Sequence, residues 1–69
     1  MKTFELNDQE FIELNRLLKM LGMVGTGGEA KIRISNGEAL LNGEPETQVR
    51  KKLRSGDVIE FGGEKVSIK

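Results

Sequence analysis

GGEAKIRISNG, residues 27 to 37, decides the fold, because its middle can be read in two ways. Ala30-Lys31-Ile32-Arg33-Ile34 alternates apolar with basic, which suits a strand carrying Lys31 and Arg33 on one face. The same residues permit a short helix over 27–35, stopped by Asn36-Gly37. Periodicity over so short a run does not separate the two. The glycines in front raise a second question. Met23-Val24-Gly25-Thr26-Gly27-Gly28 leads directly to the cations Lys31 and Arg33, so this loop is either a phosphate cradle or a bend between two helices.

As a nucleotide loop it fails. Gly25-x-Gly27-x-x-Ala30 matches the loose dinucleotide fingerprint, which has meaning only after a strand inside a βαβ unit. Here it comes after a helical pattern, and the remainder offers no parallel sheet. For a Walker loop Gly22 and Gly27 are correctly spaced, but Gly28 and Glu29 stand where Lys and Ser/Thr are required. As a bend, the glycines let the chain turn tightly and let two helices approach closely. A bend is compatible with an anion site. Gly27 and Gly28 would open the second helix, where free amides and the helix dipole favour a phosphate.

Upstream, Thr3-Phe4-Glu5-Leu6 alternates like a short strand. Asn7-Asp8-Gln9-Glu10 has the form of a capping box, with Leu6 and Phe11 as the hydrophobic staple across it. Phe11, Leu14, Leu17, Leu18 and Leu21 then recur at helical spacing, which predicts a helix over 9–21 ending at Gly22. Arg16 and Lys19 lie together on its far side. Downstream the pattern is β. Ala39-Leu40-Leu41 enters the tight-turn dipeptide Asn42-Gly43, and Pro45 keeps the next residues irregular or at an edge. Residues 46–54 are polar and basic, anchored by Val49 and Leu53. Ser55-Gly56 turns the chain into residues 57–61, and Gly62-Gly63 makes a hairpin to 64–68.

A chain of 69 residues without Cys has neither disulfide nor thiolate metal site to reinforce a small core. It has no His either, and no paired-acid spacing, so nothing points to catalysis, a metal or a cofactor. No apolar run approaches the ~18 residues that cross a bilayer, and Met1-Lys2-Thr3 leads into no signal-peptide core. These absences predict a cytoplasmic protein with no membrane partner. Net charge is zero but unevenly spread. Lys2, Glu5, Asp8, Glu10 and Glu13 leave residues 1–15 at −3, counting Lys2 as the one cation, while Arg50, Lys51, Lys52 and Arg54 give residues 50–56 a sum of +4. Local density, not the total, sets the field that a polyanion meets within a screening length of about 8–10 Å.

From residue 11 to 61 the order of features resembles the S-four RNA-binding domain, the α+β module with the alpha-L motif found in small-subunit ribosomal protein four. The residues that carry the resemblance are Leu21-Gly22, Gly27-Gly28-Glu29-Ala30-Lys31, Ser35-Asn36-Gly37, Leu40-Leu41-Asn42-Gly43 with Pro45, and Arg54-Ser55-Gly56-Asp57-Val58-Ile59. The short chain, with Gly-Gly-x-Ala-Lys opening the second helix, is similar to the stand-alone bacterial YbcJ/YaaA-like group. The resemblance implies one domain over 1–69 with its motif core at 11–61. It also implies a helix over 27–35, and two N-terminal helices packed on a small antiparallel sheet containing 39–42, 57–61 and 65–68. Two departures stand out. Many members begin the first helix with an Arg-containing motif, where this chain has Phe11-Ile12-Glu13, and many open the second with Ser and Arg, where it has Gly27-Gly28.

The expected function is non-catalytic binding of structured RNA, rRNA or tRNA-like, by a monomer. Candidate contacts are Gly27 and Gly28, Lys31, and Arg50, Lys51, Lys52 and Arg54, with Arg16, Lys19 and Arg33 in second rank. With no Tyr, no Trp and only three Phe, all read as core or staple, recognition through stacking on aromatic side chains is disfavoured. The rival reading is a protein-interaction adaptor, with ribosomal or RNA-processing proteins as partners.

Overall fold

The computed structural model describes residues 1–69, and in it the segment 27–35 is a helix. The chain runs β1 (Lys2–Phe4), β2 (Ile12–Glu13), α1 (Leu14–Met20), α2 (Gly27–Ser35), β3 (Ala39–Leu41), β4 (Glu44–Pro45), β5 (Lys52–Leu53), β6 (Val58–Phe61) and β7 (Glu64–Ile68). Five strands form one sheet in the order β1-β7-β6-β3-β4, and β2 pairs with β5 in a separate two-stranded ribbon. The fold is therefore α+β, as expected, with two adjustments. Two short strands precede the first helix. The main sheet is mixed, because β1 runs parallel to β7 while its other pairs are antiparallel.

The helix in 27–35 is decided by which side chains reach the core. Ala30 and Ile34, four apart, are fully buried, whereas Ile32 between them is 63% exposed. A strand would have sent all three to one face. The two helices end alike. After α1 the Gly22 amide donates to the Lys19 carbonyl and the Met23 amide to the Leu18 carbonyl. After α2, Gly37 donates to Ile34 and Glu38 to Arg33. Both are Schellman closures, which need a left-handed residue just past the helix, and Gly22 and Gly37 supply it at φ 71° and 80°.

The start of the first helix differs from expectation. Asn7 and Asp8 both take left-handed φ, 52° and 74°, inside a turn closed by the Gln9 amide on the Leu6 carbonyl. Asn and Asp tolerate that conformation as readily as they cap helices, and here the turn wins. No capping box or staple forms at Asn7. Residues 12–13 are extended instead, and α1 begins at Leu14 behind Glu13, whose side chain makes no cap. Its first amides are satisfied from far away. Leu14 donates to the Lys51 carbonyl at 2.9 Å and Asn15 to the Val49 carbonyl at 3.1 Å. These bonds dock the basic stretch onto the start of α1.

The core is wholly apolar: Leu14, Leu17 and Leu18 from α1, Ala30 and Ile34 from α2, Leu53 from β5, and Ala39, Ile59, Phe61, Val66 and Ile68 from the sheet, closed by Leu6, Ile12 and Val24. The hairpins obey their turn dipeptides, with Asn42-Gly43 at φ 51° and 90° and Gly62-Gly63 at 60° and 81°. Asn42 also joins the sheet to the turn after the basic stretch. Its Oδ1 accepts from the Val58 amide at 2.9 Å and its Nδ2 donates to Asp57 Oδ1 at 3.2 Å. Asp57 Oδ2 accepts from the Arg54 amide at 2.8 Å. The Asn42…Asp57 pattern is thus a clasp that fixes where β5 ends. No helix of the fold is long and apolar enough to cross a membrane.

Candidate nucleic-acid interface

The docking of residues 49–51 on α1 brings separate parts of the sequence to one place. An open groove of about 450 Å³ is lined by Asn15 at the start of α1, Gly27 and Lys31 on α2, and Val49 and Arg50. Three of the expected contact residues, Gly27, Lys31 and Arg50, meet there.

At the head of α2, Thr26 is the N-cap, its hydroxyl accepting from the Glu29 amide at 3.0 Å. Glu29 reaches back to accept from the Gly25 amide at 2.8 Å. The Gly27 and Gly28 amides precede the first intrahelical bond and find no acceptor within the fold. Neither glycine is required by conformation or packing. Both have ordinary φ, a Cβ on Gly27 would meet nothing within 4 Å, and one on Gly28 would meet only the Thr26 hydroxyl at 3.8 Å. The close helix approach expected of this loop is therefore not what the glycines serve. Their missing side chains leave both donors uncovered, the Gly27 amide at the edge of the groove. Asn15 adds an acceptor, since its Oδ1 is buried with no hydrogen-bond partner.

The basic stretch is ordered by alternation. Leu53 is fully buried, so its neighbours Lys52 and Arg54 face outward, and Arg50, in the turn before the strand, is also exposed. Lys51, on the alternate phase, is half-buried. Phe11 lies under this row: the Lys52 Nζ is 4.9 Å and the Arg54 Cζ 5.7 Å from the centre of its ring. Phe11 is partly buried and is not among the apolar side chains packed on the core. Phe61 is buried and Phe4 packs on the core, so Phe11 alone departs from the core-or-staple reading of the three. The period that assigned Phe11 to a helix concealed it.

Ion pairs sort the remaining cations. Arg33 Nε lies 2.9 Å from Glu38 Oε1 and its Nη1 lies 3.4 Å from Glu29 Oε2, while its guanidinium covers the Phe61 ring at 4.4 Å. The Glu38 hydrogen bond is the main reason its pKa is raised further above the ordinary arginine value. Lys2 pairs with Glu64. Lys31, Arg50, Lys51, Lys52 and Arg54 have no ion-pair partner, nor do Arg16 and Lys19, exposed on α1. No cluster of three or more His, Cys, Asp or Glu gathers that could hold a metal ion.

Comparison with known proteins identifies the family. A family model described as S4 domain matches residues 4–69. A relative from Escherichia coli (strain K12) named for RNA binding, YbcJ, is 37% identical over 68 residues, covering 99% of this chain and 97% of its own. One from Bacillus subtilis (strain 168) named for ribosome maturation, RlbA, is 41% identical over 56 residues, covering 81% of this chain and 79% of its own. The solution structure of E. coli YbcJ, described as revealing an alpha-L motif involved in RNA binding, superposes with a TM-score of 0.73 at 37% identity, over 99% of this chain and 86% of that one.

Proposed function

The chain belongs to the S4 domain family, and from that premise we propose that it binds structured RNA, ribosomal or tRNA-like, through the sugar-phosphate backbone and without catalysing a reaction. One observation carries the reading: Lys31, Arg50 and the unpaired Gly27 amide converge on one groove, continued by the outward row of Lys52 and Arg54. Cations without acidic partners are free to displace condensed counterions from a polyanion, which is the main source of affinity in such complexes. Backbone amides at a helix start add directional donors for phosphate oxygens. Arg33, held by two carboxylates and a ring, takes no part. Backbone contacts position an RNA without reading its sequence, so specificity comes from RNA shape.

The test is crosslinking in cells followed by RNA sequencing, with the parent and an Arg50→Gln/Lys52→Gln/Arg54→Gln variant compared at equal expression. The parent recovers structured RNA, and the variant recovers the same species at a small fraction of the yield. Equal yields would remove this surface from the function. If the parent captured proteins and no RNA, the adaptor reading would replace this one.

A further inference from the structure

Phe11 is partly buried outside the core, covered by Lys52 and Arg54. Its ring is not among the apolar side chains packed on the core, and burial against the main sheet falls to Phe4 and Phe61 instead. It stands immediately before β2, beside β5, whose Lys52, with Arg54 just past the strand's end, approaches its ring. Neither cation has a carboxylate partner, although Glu13 faces Lys52 directly across the β2–β5 pair. The Lys52 ammonium lies over the ring instead. A surface aromatic ring covered only by flexible unpaired cations is a combination that can hold a nucleobase while neutralising the phosphates on either side of it.

We propose that Phe11 is a stacking platform for one unpaired base of the bound RNA, with Lys52 and Arg54 holding that nucleotide's flanking phosphates. The proposal rests on the RNA-binding reading and adds to it a preference that backbone contacts alone do not supply. In the free protein the two cations rest on the ring. Exposed cation–π contacts are weak, so an entering base displaces them, and they remain within reach of the phosphates it brings. A base inside a duplex is already stacked on its neighbours and offers no free face. The platform therefore favours RNA with an unpaired nucleotide over a blunt duplex, while the groove at Gly27, Lys31 and Arg50 serves both.

The test uses two probes, an RNA stem-loop with an adenine-rich loop and a blunt RNA duplex with the same number of nucleotides. Affinities are measured by fluorescence anisotropy for the parent, Phe11→Leu and Phe11→Trp. Ring-proton shifts of Phe11 in the parent are tracked by NMR. Phe11→Leu should lose about tenfold in affinity for the stem-loop and less than about twofold for the duplex, the scale expected of one stacked base. Phe11→Trp should retain stem-loop affinity, and the Phe11 ring protons should move upfield in the stem-loop complex. Equal losses on both probes would overturn the proposal, because the ring would then only steady its two cations. Unmoved ring protons in a saturated stem-loop complex would overturn it without any variant. A parent that bound neither probe would bring down the RNA reading itself, and this proposal with it.

Discussion

Removing Arg50 and removing Arg33 change the formal charge equally, yet only the first should weaken RNA binding. Arg33 is already neutralised by Glu29 and Glu38 at 3.4 and 2.9 Å, whereas Arg50 lines the groove with no partner. Four unpaired cations face the proposed interface: Lys31, Arg50, Lys52 and Arg54. At about 0.7–0.9 counterions per phosphate, four contacts give a slope of log K against log salt near −3. At 0.1 M salt each contact then contributes about 0.8 log units, or roughly sixfold. Arg50→Gln should therefore cost about sixfold and flatten the slope by about 0.8. The Arg50→Gln/Lys52→Gln/Arg54→Gln variant should cost about 200-fold and leave a slope near −1. Arg33→Gln should change RNA affinity by less than about twofold with the slope intact, because its charge was never available to a phosphate. Anisotropy titrations of a labelled RNA stem-loop between 50 and 300 mM KCl measure all of these. Equal flattening by Arg33→Gln and Arg50→Gln would show that net charge governs binding, and the argument from ion-pair geometry would fail.

Four further outcomes test other parts of the structure. Gly28→Glu, where only the Thr26 hydroxyl is near the new side chain, should leave the thermal midpoint by circular dichroism unchanged or slightly raised, while RNA affinity falls about tenfold or more; a large loss of stability would return the glycine to a structural role. Glu13→Arg turns an acid opposite Lys52 into a cation and removes no side-chain cap, so RNA affinity at 0.1 M salt should rise severalfold, a gain that misfolding cannot imitate. Asp57→Ala releases the Arg54 amide and the Asn42 amide group, which should cost about 1–2 kcal/mol by urea denaturation, or roughly 5–15 °C in midpoint for a chain of this size. Leu17→Ala, at a fully buried position of α1, should cost about 2–5 kcal/mol, comparable to the whole net stability of so small a domain, and give a chain largely unfolded at 37 °C by the same measurement.

What the sequence discloses divides along the range of the interactions concerned. The hairpins at Asn42-Gly43 and Gly62-Gly63 are legible because their left-handed turns are written in adjacent residues. The helix ends at Gly22 and Gly37 are legible for the same reason. The helix at 27–35 needs the family resemblance. Its deciding fact is the 63% exposure of Ile32, which depends on where the sheet lies. The start of α1 escapes a local reading because its first amides are satisfied by carbonyls of Lys51 and Val49, more than thirty residues away. Asn7 and Asp8 offer a plausible local cap in their place, and a turn uses them. The parallel pairing of β1 with β7 is equally long-range. At the candidate site, the residues of the groove can be named individually from the sequence. Their convergence depends on the docking of residues 49–51 on α1, and the outward row depends on Leu53 as anchor.

Net neutrality, which at first argues against a nucleic-acid ligand, loses its force once the charges are placed. Two cations are held by three carboxylates, Lys2 by Glu64 and Arg33 by Glu29 and Glu38, so those two cations are neutralised within ångströms and project little positive field. The row at 50, 52 and 54 is not cancelled in this way. The acid nearest to it in register, Glu13, stands in the segment where many members of the resembled family carry arginine. That acid weakens the attraction for phosphate at the edge where Phe11 lies. An acid beside an aromatic ring offsets part of an unselective attraction that every RNA duplex shares. On the proposed reading, what remains there is contact with a base, which only an RNA of the right shape presents. On the proposed reading, the reduced charge and the Phe11 ring act together: both move recognition from the quantity of phosphate toward the presence of an unpaired nucleotide.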